Sequence, residues 1–82
     1  MPDSFHEVTR DGETIWIHDS ETIWIVHYDE HTSADGYIRP AYYQAYQAIG
    51  KRRKGAEPWA VDNKRMSEHG WPTLEEAMRA VS

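Results

Sequence analysis

Residues 5–28 have the sequence FHEVTRDGETIWIHDSETIWIVHY, and this segment predicts an antiparallel β-meander. The dipeptide Asp11-Gly12 supplies the positive φ angles of a type I′ hairpin turn between two β-rich segments. A two-residue turn places Arg10 opposite Glu13, which pairs side chains of opposite charge across the two strands. The first hairpin and its register are therefore predicted from the turn alone.

The tetrapeptide TIWI occurs at residues 14–17 and again at residues 22–25. β-Branched and aromatic residues dominate both copies, which favours strands over helices. We predict a second tight turn at Asp19-Ser20 between them. An odd number of residues in that turn would put all four isoleucines on one face, whereas an even number would mix the two faces. Both faces are apolar in either case, so helices or a partner must cover the second one.

The C-terminal segment predicts a helix over residues 73–81. Thr73 is followed three residues later by Glu76, which is the pattern of a capping box. Glu75 and Arg79 are four residues apart and form an ion pair on the exposed side of such a helix. One face of the helix is apolar and consists of Leu74, Ala77, Met78 and Val81.

Residues 40–49 fit two structures. Pro40 suits a first helical position, Gly50 suits a helix stop, and the apolar side chains fall on one side of a helical wheel. The alternative is a tyrosine-rich strand that turns through residues 50–55 into the next strand. We favour the helix and keep the strand as the alternative.

The remaining segments complete an α+β fold in one domain, residues 1–82. We predict a sheet of three to four antiparallel strands, packed by the helix at residues 73–81 and by a second helix at residues 40–49. Trp59–Val61 is predicted as a short strand near a sheet edge, because Pro58 cannot donate a hydrogen bond to a neighbouring strand. Residues 62–70 are predicted as a polar connection.

The composition of the chain limits where the protein can act and which sites it can form. The chain has 82 residues and no cysteine, so neither disulfides nor cysteine-based metal sites are available. Residues 1–7 have neither a basic start nor an apolar run, which predicts no signal peptide. The longest apolar run, residues 23–26, is far shorter than the ~20 residues that span a bilayer. We therefore expect a soluble, cytoplasmic protein that does not enter the membrane.

Charge is divided unevenly along the chain. Residues 1–36 contain nine acidic residues and one basic residue, whereas residues 37–82 contain five acidic and eight basic residues. Such asymmetry bears on partners and association, not on the fold. It predicts an acidic surface on the meander and a basic surface elsewhere.

No pattern of catalytic residues or metal ligands is recognisable. His27 and His31 are four residues apart, but that spacing brings two ligands together only on a helix, and this region is predicted as strand and loop. A phosphate-binding glycine loop, a nucleophile elbow and a His-Glu-x-x-His motif are all missing from the sequence. We predict that the protein is not an enzyme and carries no cofactor or metal.

The aromatic and acidic residues of the meander predict a surface that binds another protein. Trp16, Trp24 and Tyr28 are candidate contact anchors, because aromatic residues dominate the binding energy of interfaces. Asp29 and Glu30 would steer the encounter with a basic partner. An acidic sheet of this kind can imitate a phosphate backbone, so the expected partner is a larger machine that handles nucleic acid. A homodimer would use the same aromatic surplus.

A basic loop suggests a different partner, a nucleic acid. It lies between Gly50 and Gly55 and consists of Lys51, Arg52, Arg53 and Lys54. These side chains could bind phosphates, with three tyrosines nearby in the sequence for stacking, Tyr42, Tyr43 and Tyr46. The alternative function is therefore a small nucleic-acid-binding regulator that acts through residues 51–54.

The chain is similar in style to the small accessory proteins of bacteriophages and mobile elements, including anti-CRISPR inhibitors. The features that carry the resemblance are short length, no cysteine, four tryptophans and the divided charge. The helix entry at residues 71–77, WPTLEEA, also resembles that of phage integrase arm-binding domains, which bind DNA with a three-stranded sheet. The strands here are acidic and depart from that pattern. The resemblance implies an inhibitor or modulator of a host machine.

Overall fold

The computed structural model describes residues 4–81, which contain a five-stranded antiparallel sheet, a two-stranded ribbon and a helix. The elements in chain order are β1 (Phe5–Arg10), β2 (Glu13–His18), β3 (Ile23–Tyr28), β4 (His31–Thr32), β5 (Ile38–Arg39), β6 (Tyr42–Ala48), β7 (Asn63–Arg65) and α1 (Leu74–Val81). The sheet order is β1-β2-β3-β6-β7, and β4 pairs with β5 in the ribbon. The α+β class and the meander are confirmed, with five strands in the sheet instead of three or four. Within this range no helix has the length and apolar character needed to cross a membrane.

The first hairpin has the predicted turn and register. Arg10 pairs with Glu13 across β1 and β2. Asp11 and Gly12 have φ angles of 51° and 83°, and two positive values in succession are what a type I′ turn requires.

The turn between β2 and β3 decides which side chains share a face. It consists of residues 19–22, which is an even number, so the two faces are mixed. Trp16 lies opposite Ile25, and Ile17 lies opposite Trp24. Directly opposed residues point to the same face, so the two tryptophans lie on opposite faces of the sheet.

The helix that we favoured over residues 40–49 is wrong, because Tyr42–Ala48 form β6. This strand lies between β3 and β7 and pairs with both. The physical reason is that β3 has two hydrogen-bonding edges and β2 satisfies only one of them. A helix at this position would have left the other edge of β3 open. The alternating Tyr42, Gln44 and Tyr46 therefore line one face of a strand.

Helix α1 begins where the capping pattern predicts. The Thr73 hydroxyl accepts a hydrogen bond from the Glu76 backbone N–H at 3.2 Å. The Glu75 carboxylate and the Arg79 guanidinium form the predicted i,i+4 ion pair, with 2.6 Å between Oε1 and Nη2. The predicted apolar face of α1 packs on the sheet, and the buried residues of this cluster are Ile25, Ala45, Ala77 and Met78. The small side chain of Ala45 leaves room for the helix to approach β6.

The opposite face of the sheet is covered by the chain itself. The segment between β6 and β7 leaves the sheet and returns to it, and Ile49 N–H donates a 2.8 Å hydrogen bond to the Asp62 carbonyl where its ends meet. Trp59 and Val61 of this segment pack on a buried cluster formed by Ile15, Ile17 and Trp24. Cover for the second face therefore comes from a loop, not from a helix.

The strand predicted at Trp59–Val61 is also wrong. The strand of this region is Asn63–Arg65, which lies within the predicted polar connection at residues 62–70. Trp59 and Val61 bury their side chains against the sheet. Polar residues can form β7 because an edge strand is held by backbone pairing with β6 and needs no apolar side chains.

The ribbon of β4 and β5 extends from the end of β3. Its turn is closed by a hydrogen bond from the Ser33 N–H to the Tyr37 carbonyl at 2.8 Å. Tyr37 and Ile38 are 70% and 68% exposed, which leaves an apolar tip on the ribbon.

Candidate binding surface

A groove of about 610 Å³ lies on the sheet face opposite α1, beside the cluster covered by Trp59. Its floor is formed by alternate residues of β6, Tyr42, Gln44 and Tyr46, together with Tyr28 at the end of β3. Side chains of the ribbon, of β7 and of the loop after β7 form its walls. We call this feature the tyrosine groove.

The three tyrosines hold one another in place. The rings of Tyr28 and Tyr42 stack with centroids 5.1 Å apart and planes inclined by 25°. The hydroxyls of Tyr28 and Tyr46 are 2.5 Å apart and form a hydrogen bond. Partial burial raises the pKa of Tyr28 well above its ordinary value, and the hydrogen bond to Tyr46 and the negative charge of Glu13 act in the same direction. The tyrosine surface is therefore fixed before any ligand arrives.

Gln44 supports the groove and is not free to bind. Its side chain is 2% exposed. The amide nitrogen donates to the Ser67 carbonyl at 2.9 Å, and the amide oxygen accepts from the Ala45 N–H at 3.0 Å. Gln44 thereby fastens the loop after β7 against the strand that forms the floor.

Two arginines in the walls, Arg39 of β5 and Arg65 of β7, have no carboxylate within 4.0 Å among residues 4–81. In the same range Arg10, Arg52 and Arg79 each form an ion pair. Two histidines, His31 and His69, and one carboxylate, Glu68, also line the groove. The groove is therefore cationic, although the protein as a whole carries a net charge of −5.

Acidic residues are concentrated at the end of the sheet where β3 ends at Tyr28. We call Asp11, Glu13, Asp29 and Glu30 the acidic end. Their side chains are exposed in the turn between β1 and β2, at the start of β2 and directly after β3. Antiparallel pairing brings the start of β2 next to the end of β3, and the charge of Glu13 reaches the Tyr28 hydroxyl. The Asp29 carboxylate lies 3.5 Å from Nδ1 of His27, and the His27 ring packs on Tyr43 on the helix side of the sheet. Asp29 therefore belongs to the helix side of this end, and Glu13 is the carboxylate whose charge acts on Tyr28.

The structure separates the three aromatic residues that the sequence proposed as anchors. Tyr28 is 36% exposed and adjoins Asp29 and Glu30. Trp24 is 3% exposed and belongs to the core. Trp16 lies on the helix side, packed against the buried cluster beneath α1. Only Tyr28 therefore shares an accessible surface with the acidic residues.

The basic loop at residues 51–54 is exposed and lies beyond the opposite end of β6 from Tyr42. Tyr42 and Ala48 are six positions apart along β6, a distance of about 20 Å at ~3.3 Å per residue. Arg52 forms an ion pair with Glu21 at 2.6 Å. Tyr42 therefore cannot stack a base next to this loop, as the sequence had suggested for the tyrosines of this segment.

Sequence reasoning missed the role of Arg39 and Arg65 in this surface. They are 26 positions apart in sequence, and only the pairing of β7 with β6 and the course of the ribbon place both in the groove. The sequence does contain one signal for the floor of the groove, the alternation Tyr42-x-Gln44-x-Tyr46, which places these three side chains on one face of a strand. We did not use this signal because we favoured a helix for residues 40–49.

Among residues 4–81 no three histidine, aspartate or glutamate side chains come together in a way that would hold a metal ion. No family model matches the chain, and no curated protein and no solved structure matches it. We therefore infer the function from the geometry of the tyrosine groove and the acidic end.

Proposed function

We propose that this protein is a non-enzymatic interaction module that binds a larger protein, and that it inhibits or modulates a machine that handles nucleic acid. The observation that carries the proposal is the acidic end, four exposed carboxylates at the end of the sheet where Tyr28 is also exposed. Proteins that bind nucleic acid present basic surfaces to phosphates. A compact acidic surface with an aromatic residue at its edge would compete for such a basic surface.

The charges and the aromatic residue have different roles in this proposal. The carboxylates of the acidic end raise the rate of encounter with a basic partner and select against acidic ones. Tyr28 supplies contact area, and its stacking on Tyr42 keeps the loss of conformational entropy on binding small. Trp24 stabilises the fold, because a side chain that is 3% exposed offers no area to a partner.

The test begins with affinity capture from a lysate of the source organism after nuclease treatment. The captured protein is then purified and its binding measured by calorimetry. The acidic variant carries Asp11→Asn, Glu13→Gln, Asp29→Asn and Glu30→Gln. The matched control neutralises four exposed carboxylates elsewhere on the surface, with Asp19→Asn, Asp35→Asn, Asp62→Asn and Glu76→Gln.

We expect the acidic variant to bind about tenfold or more weakly and the control to bind nearly as well as the wild type. Added duplex DNA should compete with the wild-type protein for the partner. Equal losses in the two variants would contradict the proposal, because net charge alone would then explain binding. Capture of nuclease-sensitive material alone would also contradict it.

Nucleic-acid binding through residues 51–54 is the second candidate. Lys51, Arg53 and Lys54 are exposed and have no carboxylate within 4.0 Å in the described part of the chain. Binding to random duplex or single-stranded DNA should then weaken steeply as salt rises, and Lys51→Gln, Arg53→Gln and Lys54→Gln together should abolish it. An absence of binding at low salt would remove this candidate.

A further inference from the structure

We propose that the tyrosine groove receives an extended segment of the partner protein and binds an acidic side chain of that segment through Arg39 and Arg65. The inference rests on the proposed function, because it assumes a protein partner. It adds a cationic contact, formed by Arg39 and Arg65, to the contact that the acidic end makes with the partner. The partner would then present one carboxylate to the groove and basic side chains to Glu13 and the rest of the acidic end.

The two arginines of the groove are available to a ligand. Arg39 and Arg65 line one groove, and neither has a carboxylate within 4.0 Å among residues 4–81. The planar guanidinium presents donors in a fork that matches the two oxygens of a carboxylate. A ligand carboxylate would supply the acceptor that these two side chains do not have within the described chain.

The shape of the groove suits a short extended segment. The floor follows β6 from Tyr42 to Tyr46, which is a length of about 13 Å at ~3.3 Å per residue. An extended segment of about four residues matches that length. The groove is not an enclosed cavity, so a segment of a larger protein can enter it while the rest of that protein stays outside. The volume of about 610 Å³ suits such a short segment.

The floor of the groove is preorganised for binding. Tyr28 is fixed by its ring contact with Tyr42 and by its hydroxyl bond to Tyr46. Gln44 closes the floor and exposes no unsatisfied polar group, because both of its amide atoms are hydrogen-bonded. A rigid aromatic floor gives contact area to a ligand at little entropic cost.

Charge favours a peptide over a single strand of nucleic acid. A strand carries a negative charge at every nucleotide, so its phosphates would pass Glu68 in the groove and then Glu13 next to Tyr28. Like charges at those positions would oppose binding. In a peptide with a single acidic residue followed by basic ones, the carboxylate would face Arg39 and Arg65, and the basic side chains would face the acidic end.

The test is selection of random linear peptides from a phage library on the wild-type protein. Synthetic copies of the selected peptides are then measured by fluorescence anisotropy against three proteins. These are the wild type, the groove variant Arg39→Gln/Arg65→Gln, and the control Lys64→Gln/Arg79→Gln. The control removes the same charge from two exposed positions outside the groove. Circular dichroism confirms that all three proteins are folded, and a thymidine oligonucleotide serves as the nucleic-acid probe.

We expect the selected peptides to share one acidic position flanked by basic residues. The groove variant should bind them about tenfold or more weakly, with the control within about twofold of the wild type. Peptides without a shared acidic residue, equal losses in both variants, or no enrichment at all would overturn it. Oligonucleotide binding that depends on Arg39 and Arg65 would overturn it in favour of nucleic acid.

These outcomes are distinguishable from failure of the proposed function. If the captured partner depends on the acidic end but not on Arg39 and Arg65, only the groove inference fails. If the captured partner is insensitive to the acidic variant, the proposed function fails, whatever the peptides show.

Discussion

Trp24 of β3 stacks on Tyr46 of the neighbouring strand β6, with ring centroids 6.2 Å apart and planes inclined by 24°. Tyr46 in turn forms the hydroxyl bond to Tyr28 in the groove. The buried cluster beneath Trp59 and the tyrosine groove are therefore adjoining parts of one sheet face. The stability of the core and the geometry of the candidate surface are physically coupled through Tyr46.

The first prediction concerns Trp24. Trp24→Ala should lower the free energy of unfolding by about 3–5 kcal/mol, because it leaves a large cavity next to Ile17 and Tyr46. Small domains have about 5–15 kcal/mol in total, so this variant should be close to unfolded at 37 °C. Urea denaturation followed by circular dichroism measures the change. Tyr37→Ala, at a 70% exposed position, is the control, and a loss below ~1 kcal/mol for Trp24→Ala would contradict the assignment to the core.

The second prediction compares two glycines with similar backbone angles. Gly70 and Gly36 have φ angles of 75° and 88°, so alanine at either position costs about 1–2 kcal/mol in a left-handed conformation. At Gly70 the added Cβ would also lie 2.5 Å from the Tyr43 carbonyl oxygen, whereas at Gly36 no atom lies within 4 Å. Gly70→Ala should therefore lower the urea midpoint clearly more than Gly36→Ala. Equal midpoints would show that Gly70 and β6 are not in close contact.

The third prediction concerns the cover of the second face. Trp59→Ala should cost about 2 kcal/mol and expose the apolar cluster of Ile15 and Ile17. Binding of the dye ANS at neutral pH should rise for this variant, since the dye reports exposed apolar surface. Ile49→Ala, at a 62% exposed position, should change neither quantity appreciably. Unchanged dye binding in Trp59→Ala would mean that the loop does not cover the sheet in solution.

The fourth prediction concerns pH. The Ser33 hydroxyl donates a hydrogen bond to the Asp35 carboxylate and holds the pKa of Asp35 below its ordinary value. Since the folded-state pKa is lowered, the stabilisation from Asp35 is present above the ordinary value and is lost as the pH falls through the folded-state pKa. Ser33→Ala should raise the pKa of Asp35 towards its ordinary value, as measured by NMR titration of the carboxyl carbon. Ser20→Ala is the control, and an unchanged pKa in Ser33→Ala would exclude the hydrogen bond as the cause.

The elements that local chemistry specifies were predictable. Asp11-Gly12 fixed the first hairpin and its register because few residue pairs allow two positive φ angles in succession. Thr73 fixed the start of α1 because its hydroxyl satisfies a free backbone N–H of the first turn. Both signals act within a few residues, so the rest of the fold was not needed to interpret them.

The elements that depend on distant partners were not predictable in the same way. The helical pattern of residues 40–49 was outweighed by the open edge of β3, which is known only once the meander is assembled. Trp59 and Val61 have the composition of a strand, but their place in the molecule is set by the apolar face that they cover. In both cases tertiary pairing and burial overrode local propensity.

By itself the sequence determined the hairpin turn, the amphipathic terminal helix, the apolar character of both sheet faces and the uneven division of charge. The tertiary structure alone decided that Trp16 and Trp24 lie on opposite faces, because a turn of even length sets the register of β3. It alone brought Arg39 and Arg65 to one groove beside the acidic end. Side-chain identity is a local property, whereas the proximity of residues far apart in the chain follows from backbone pairing across the whole sheet.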